Sequence, residues 1–335
     1  MSNRFTTALL AATILAALPL TASAAPRVIT SIKPIHSLAA AIMKGVGEPG
    51  LIVEGAASPH TYSMKPSDAE RLQDAEIVFW VGHGLEGFLE KPLETLGSKA
   101  TIVELEDVPG MTRLKFREGG PFEAHDHGDE EHHEEAAGHD HEAETAEAGH
   151  DHEAEGHEHD HHESEFDMHS WLSIPNAKAM ATAMEQTLAK ADPANASAYA
   201  ANLKALDARL DALAKDIEKT IAPVKDKPFV VFHDAYQYFE HDFGVKVAGS
   251  ITVSPETMPG ADRIRQIHAK VAELKATCVF AEPQFEPKLI NVVIEGTDAR
   301  SGTLDPEGGS LVPGENLYFD LMQGIATNLA ACLGK

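Results

Sequence analysis

Residues 192–221 read DPANASAYAANLKALDARLDALAKDIEKTI, and this stretch decides the architecture. Tyr199, Leu203, Leu206, Leu210, Leu213, Ile217 and Ile221 recur at spacings of three and four, which places them on one apolar stripe of a helix. Asp192 followed by Pro193 is the start signal: a capping carboxylate, then a residue whose φ is already helical and whose missing N–H is not needed in the first turn. At about 1.5 Å per residue, 193–221 predicts a rod of roughly 43 Å. A rod that long outruns one small domain, so it is expected to strut two bodies together.

On either side of the rod the chain alternates short Val- and Ile-rich runs with amphipathic ones. Upstream, strands are predicted at 28–32, 51–54, 77–81 and 101–105, with helices at 34–44, 66–74 and 85–96. Ser67 or Asp68 is the expected cap of the second helix. A further helix over 176–190 carries Met180, Met184 and Leu188 on one face. Downstream, strands are predicted at 229–232, 245–249 and 278–281, and helices at 235–243, 260–275, 287–295 and 315–333. This rhythm predicts an α/β fold of parallel sheets covered by helices. The first lobe spans 25–175, the connecting helices 176–226 and the second lobe 227–335. Ligands in such folds sit at the carboxyl ends of strands, in the crevice between units.

The first 24 residues read as an export signal. Arg4 precedes an apolar run over 8–20, broken only by Thr13 and Pro19, and Ala22-Ser23-Ala24 then offers the small-x-small pattern of signal-peptidase cleavage. The run is shorter than the ~20 residues a spanning helix needs, so cleavage and a mature chain that is soluble outside the inner membrane are expected. Cys278 and Cys332 are the only cysteines, an even count in an exported chain. A structural disulfide tying down the C-terminus is the expected reading; two buried free thiols compete with it.

The net charge of −26 is concentrated in one place. Between 123 and 165 there are 18 Asp and Glu and no Lys or Arg, which leaves about −8 for the remainder. No basic stripe exists, so nucleic acid is not an expected partner. The stretch 119–165 has almost no large apolar residue and is expected to be a disordered loop inserted in the first lobe. It holds 12 of the 19 histidines: His125, His127, His132, His133, His139, His141, His150, His152, His157, His159, His161 and His162. Imidazoles and carboxylates this dense on a floppy chain predict secondary metal sites, weaker and less selective because ordering the chain costs entropy. One literal HExxH runs from His157 to His161. A zinc hydrolase needs that motif on a packed helix, and this stretch has no apolar face, so the match is compositional. Neither a nucleophile elbow nor a Gly-rich phosphate loop is present. No catalytic residues are expected.

Seven histidines remain: His36, His60, His83, His169, His233, His241 and His268. His233 ends the strand-like run FVVF, where an α/β lobe places its ligands. His60 lies in a loop beyond the second strand, and His169 in the short ordered stretch before Pro175. These three are the candidates to converge across one cleft. His83 follows the third strand in Gly82-His83-Gly84 and competes with them. His36, at the first helix, suits a structural role, and His241 and His268 suit polar helix faces.

Those residues carry a family resemblance. The stretches 54–68 (EGAASPHTYSMKPSD), 168–173 (MHSWLS), 232–239 (FHDAYQYF), 280–285 (FAEPQF) and 302–306 (GTLDP) resemble the periplasmic zinc-binding proteins of high-affinity ABC zinc importers, within the cluster A-I metal solute-binding family. The resemblance covers the whole mature chain, the His-rich loop and the cysteine pair included. It implies two pseudo-symmetric lobes bridged by a long rigid helix, with Zn²⁺ in the cleft between them. It implies His60, His169 and His233 as imidazole ligands. The fourth position of the family is filled by a carboxylate or by water. Asp305 matches the position where manganese-binding relatives place an aspartate and is the expected fourth ligand, with water or another carboxylate as the alternatives. Some zinc members use a glutamate just before the first histidine, where this chain has Pro59.

Three neutral imidazoles and one oxygen make a tetrahedral site suited to Zn²⁺, whereas Mn²⁺ prefers more carboxylates. Asp234 and Glu282 are the expected holders of the second ring nitrogens. The resemblance further implies a monomeric carrier that delivers zinc to an inner-membrane permease and its ATPase. A manganese- or iron-binding relative of the same fold, or a zinc-dependent hydrolase, is the alternative.

Overall fold

The computed structural model describes residues 25–117, 165–252, 259–275, 278–285 and 288–335. The expected signal segment 1–24, and the stretch 119–165 save Glu165, lie outside the described residues, as does the HExxH match.

The first lobe runs β1 (Val28–Thr30), α1 (Lys33–Ile42), β2 (Gly50–Leu51), α2 (Pro66–Asp74), β3 (Ile77–Trp80), α3 (Glu90–Thr95) and β4 (Thr101–Glu104). Next come α4 (Ile174–Ala191) and α5 (Ala196–Ile221). The second lobe runs β5 (Phe229–His233), α6 (Gln237–Phe243), β6 (Val247–Thr252), α7 (Ala261–Leu274), β7 (Cys278–Ala281), α8 (Lys288–Ile294), β8 (Arg300–Thr303) and α9 (Leu317–Leu333). Among the described residues every pairing between these strands is parallel, and the sheet orders are β2-β1-β3-β4 and β6-β5-β7-β8. The second lobe thus repeats the topology of the first. The inner strands β3 (IVFW) and β5 (FVVFH) are buried at every residue, as strands covered on both faces must be.

In each sheet the chain reverses its direction of travel between two central strands, β1 and β3 in one lobe, β5 and β7 in the other. The crevice outside the carboxyl ends of such a pair is where these folds bind ligands. His233 is the last residue of β5, and Glu282 follows β7 directly.

Helix α5 is the strut. Tyr199, Leu206, Leu210, Leu213, Ile217 and Ile221 are buried, and the helix packs on α1, α4 and α9. Its start corrects the sequence reading. Asp192 does not cap a helix beginning at Pro193; its Oδ2 instead accepts from Asn195 Nδ2 (2.7 Å) and the Tyr199 hydroxyl (2.9 Å), stitching a turn. The 26-residue helix begins at Ala196, giving roughly 39 Å. The cap of α2 also differs. Lys65 is the N-cap, and Asp68 reaches back from the first turn to accept its N–H at 3.0 Å.

Strand β8 has no apolar run to announce it. Its sequence, RSGT, suits an edge strand that alternates between half-buried and exposed. Gly302 is required there, because a Cβ would stand 2.5 Å from the Phe280 ring. The edge strand β6, Val247–Thr252, lies a little later than the expected 245–249.

Cys278 and Cys332 form a disulfide that ties β7 to the last turn of α9, across 54 residues of sequence. Closing a loop of that length restricts the unfolded chain. Replacing both cysteines with alanine is expected to lower stability by about 2–5 kcal/mol in denaturant unfolding, and a loss below about 1 kcal/mol would contradict that role.

Candidate metal centre

His60 is delivered by a 3-10 turn, Pro59–Thr61, and the Ser58 Oγ accepts the His60 N–H at 3.3 Å. The loop leading away is pinned to α2: the Tyr62 hydroxyl donates to Asp68 (2.7 Å), which also receives Arg71 (2.6 Å). His169 precedes another 3-10 turn, Ser170–Leu172. Its neighbours are locked by Trp171 Nε1 donating to the Pro306 carbonyl and by the Tyr318 hydroxyl donating to the Trp171 carbonyl, each at 2.8 Å. Asn176 adds bonds to Thr112 and Ser170, closing the base of this segment.

These three segments bring the imidazoles to one point. His169 Nε2 lies 3.4 Å from His60 Nε2 and 3.2 Å from His233 Nε2. Ring centroids are 5.1–5.8 Å apart, and one ligand nitrogen from each ring lies within 4.8 Å of the others. Among the described residues this is the group of three or more His, Cys, Asp or Glu so assembled. A tetrahedral zinc with Zn–N bonds of about 2.0–2.1 Å sets its ligand nitrogens about 3.3–3.4 Å apart. The observed separations fit such an ion.

The far ring nitrogens face carboxylates. Asp167 Oδ1 lies 2.8 Å from His169 Nδ1 and accepts the His169 backbone N–H at 3.0 Å. Glu282 Oε1 lies 2.7 Å from His233 Nδ1. When Nδ1 donates its proton to a carboxylate, the Nε2 lone pair is free to point inward, and the carboxylate raises its basicity. His60, partly accessible as a residue but with its ring deep among neighbours, is held well below the ordinary imidazole value by burial and then by repulsion from His169 and His233. Burial alone would lower His233 too, but the adjacent Glu282 charge outweighs it and the value is raised.

Two expected residues stand elsewhere. Asp305 is not in the cluster. Its Oδ1 accepts from Gln284 Nε2 (3.1 Å) and the backbone N–H groups of Glu307 (3.3 Å) and Gly309 (3.1 Å), so the carboxylate organises its own loop. Asp234 orients no imidazole. It receives two bonds from Arg117, which also donates to Glu240. The chain turns tightly just past β5, where the Ala235 N–H donates to the His233 carbonyl at 2.9 Å, and the Asp234 carboxylate at that turn is taken up by Arg117. Glu282 holds the His233 ring as expected; Asp167, which holds the His169 ring, is one the sequence reading passed over. Its signal was present in Asp167-Met168-His169, since an aspartate two residues ahead bonds the backbone of its follower in an Asx turn.

Among the described residues, the other four histidines are occupied apart from this site. His36 lies against the Pro49 carbonyl, His83 against Glu90 and Glu104, His241 against Asp242 and His268 against the Glu295 carbonyl.

Over residues 28–332 the chain matches the protein family described as zinc-uptake complex component A, periplasmic. It is 53% identical over 314 residues to the high-affinity zinc uptake system protein ZnuA of Brucella suis biovar 1, covering 92% of each chain. To the protein of that name from Yersinia pestis it is 40% identical over 326 residues, covering 97% of this chain and 96% of the other. The solved structure of the periplasmic zinc binding protein TroA from Treponema pallidum matches with a TM-score of 0.71 at 20% identity, over 92% of this chain and 99% of that one. At that identity the likeness speaks for the fold.

The carboxylate partners are open to direct test. Asp167→Asn and Glu282→Gln keep size while removing the charge behind each ring. Each is expected to weaken zinc binding roughly 10- to 100-fold in competition with a chelator. Unchanged affinity in both would mean the carboxylates do not tune the site.

Proposed function

The chain belongs to the family of the periplasmic zinc-uptake complex component A, and from that premise we propose that it carries Zn²⁺ on the Nε2 atoms of His60, His169 and His233 and hands it to an ABC permease. The family makes it the periplasmic, substrate-binding component of a zinc uptake system, not an enzyme. No helix among the described residues is long and apolar enough to cross a membrane. The observation that carries the ligand assignment is the convergence of the three nitrogens, with His169 Nε2 at 3.2–3.4 Å from the other two, a spacing suited to tetrahedral zinc.

Three imidazoles leave one position of a tetrahedron to an oxygen ligand. Water is our choice. Asp305 would reach the ion only by giving up the bonds that organise its loop, so it serves as the alternative fourth ligand. Three nitrogen donors favour zinc over manganese, which prefers harder oxygen sets. Selectivity against copper must come from geometry and supply, because the Irving–Williams order favours copper.

The histidines of 119–165 gather zinc at weaker sites and pass it to the cleft. Delivery requires a permease and its ATPase, which engage one carrier molecule at a time.

Zinc titration separates these roles. The wild type is expected to bind several ions, and a variant lacking residues 119–164 to keep one tight site. In that variant His60→Ala, His169→Ala or His233→Ala should each weaken binding by about a hundredfold or more, since the ligands act only when deprotonated and placed together. Competing Mn²⁺ should displace zinc poorly. Loss of the tight site with the loop, or tight binding that survives all three alanines, would overturn the assignment.

A further inference from the structure

A second link joins the two lobes, and it is a buried ammonium. Lys33 opens α1 just beyond the carboxyl end of β1, and it is only 5% exposed. Its Nζ donates to the carbonyl oxygens of Gly308 (3.0 Å), Gly309 (2.8 Å) and Leu311 (3.0 Å). Those three bonds use every N–H of the ammonium, and all go to the loop that follows β8 in the other lobe. Two effects oppose this placement. Burial disfavours the charge, and a cation at a helix N-terminus meets the positive end of the helix dipole. The carbonyl cradle, with Asp305 and Glu307 on the same loop, offsets them in part, and burial still holds the ammonium below the ordinary lysine value.

That loop lies between two of the ligand-bearing segments. On one side the Pro306 carbonyl accepts Trp171 Nε1, and the Trp171 ring is 5.3 Å from the His169 ring. On the other, Gly309 packs against Ala56, in the segment that leads to His60. A Cβ at Gly309 would stand 3.3 Å from Ala56 Cα and 3.0 Å from Gln284 Nε2. Ile32, Lys33, Val53, Gly55 and Glu307 line a small cavity along the same seam.

We propose that Lys33 is the positioning residue of an interlobe clasp: its bonds to the 308–311 loop hold the cleft shut around the metal, and breaking them is the step that opens it for release. The inference rests on the reading of the three imidazoles as the zinc site. Lys33 touches no ligand, so it acts on how long the ion stays and not on how many ions bind. Opening must strip three charge-assisted bonds and expose the ammonium and Glu307 to water, which concentrates the barrier at one point of the seam.

The test uses the full chain loaded with one equivalent of zinc, with release followed by rapid mixing into excess chelator. Lys33→Met removes the donors at similar length. Gly309→Ala wedges the seam from the opposite lobe and keeps Lys33 intact, so it decides the matter if Lys33→Met folds poorly. Both variants are expected to release zinc at least tenfold faster, with the association rate within about threefold of wild type. The visible spectrum of bound Co²⁺ should still report a tetrahedral site. In the metal-free protein, hydrogen exchange at the 308–311 amides should be faster in Lys33→Met. Release within twofold of wild type in the folded variants would overturn the clasp. If His60→Ala in the same assay abolishes retention, the three-imidazole reading stands without it. A wild type that retains no zinc would instead remove both.

Discussion

Three imidazole nitrogens, from segments 109 and 64 residues apart in sequence, are held together, with His169 Nε2 at 3.4 and 3.2 Å from those of His60 and His233 and all three within 4.8 Å of one another. The remainder of the fold serves that constraint. Without a cation between them the rings repel, and water would separate them if their segments were free to move. Each is fixed by a different device. A short 3-10 turn presents His60, an Asx turn and carboxylate hold His169, and a buried strand end backed by Glu282 aims His233. Binding an ion relieves the repulsion without first ordering the chain, which is how preorganisation turns contacts into affinity.

The fold was legible because local pattern and global architecture agree. The stripe of α5 and the alternation of Val-rich runs with helices are the periodicities that burial on two parallel sheets demands. What escaped was decided by tertiary contact. Strand β8 exists because an edge of β7 accepts it, and RSGT has no apolar signature of its own. Asp192 looked like a cap, but a tyrosine hydroxyl one turn into the helix and its own corner claimed the carboxylate. At the site, the three histidines were legible from their positions after strands and from motif likeness. Of their partners Glu282 was legible and Asp167 was not, because which carboxylate meets a ring depends on side-chain direction. Asp234 and Asp305 looked well placed in sequence, yet an arginine and a loop of backbone amides engage them.

The two lobes are not independent bodies. A single apolar core runs from Val28 and Phe79 in the first sheet, through α1, α4, α5 and α9, to Phe229 and Phe280 in the second. A smaller cluster around Ile251 and Val279 lies within the second lobe alone. A continuous core and the packed strut tie the lobes together up to the segments that carry the three ligands. Small displacements there are enough to part three nitrogens that must stay within a few tenths of an ångström to share one ion.

The measurement that bears most directly on this account is zinc K-edge absorption fine structure on the chain carrying one equivalent of zinc. The expected result is four light-atom ligands near 2.0–2.1 Å with outer-shell scattering from three imidazoles. A spectrum that fits one imidazole or none, or a six-coordinate oxygen shell, would contradict it.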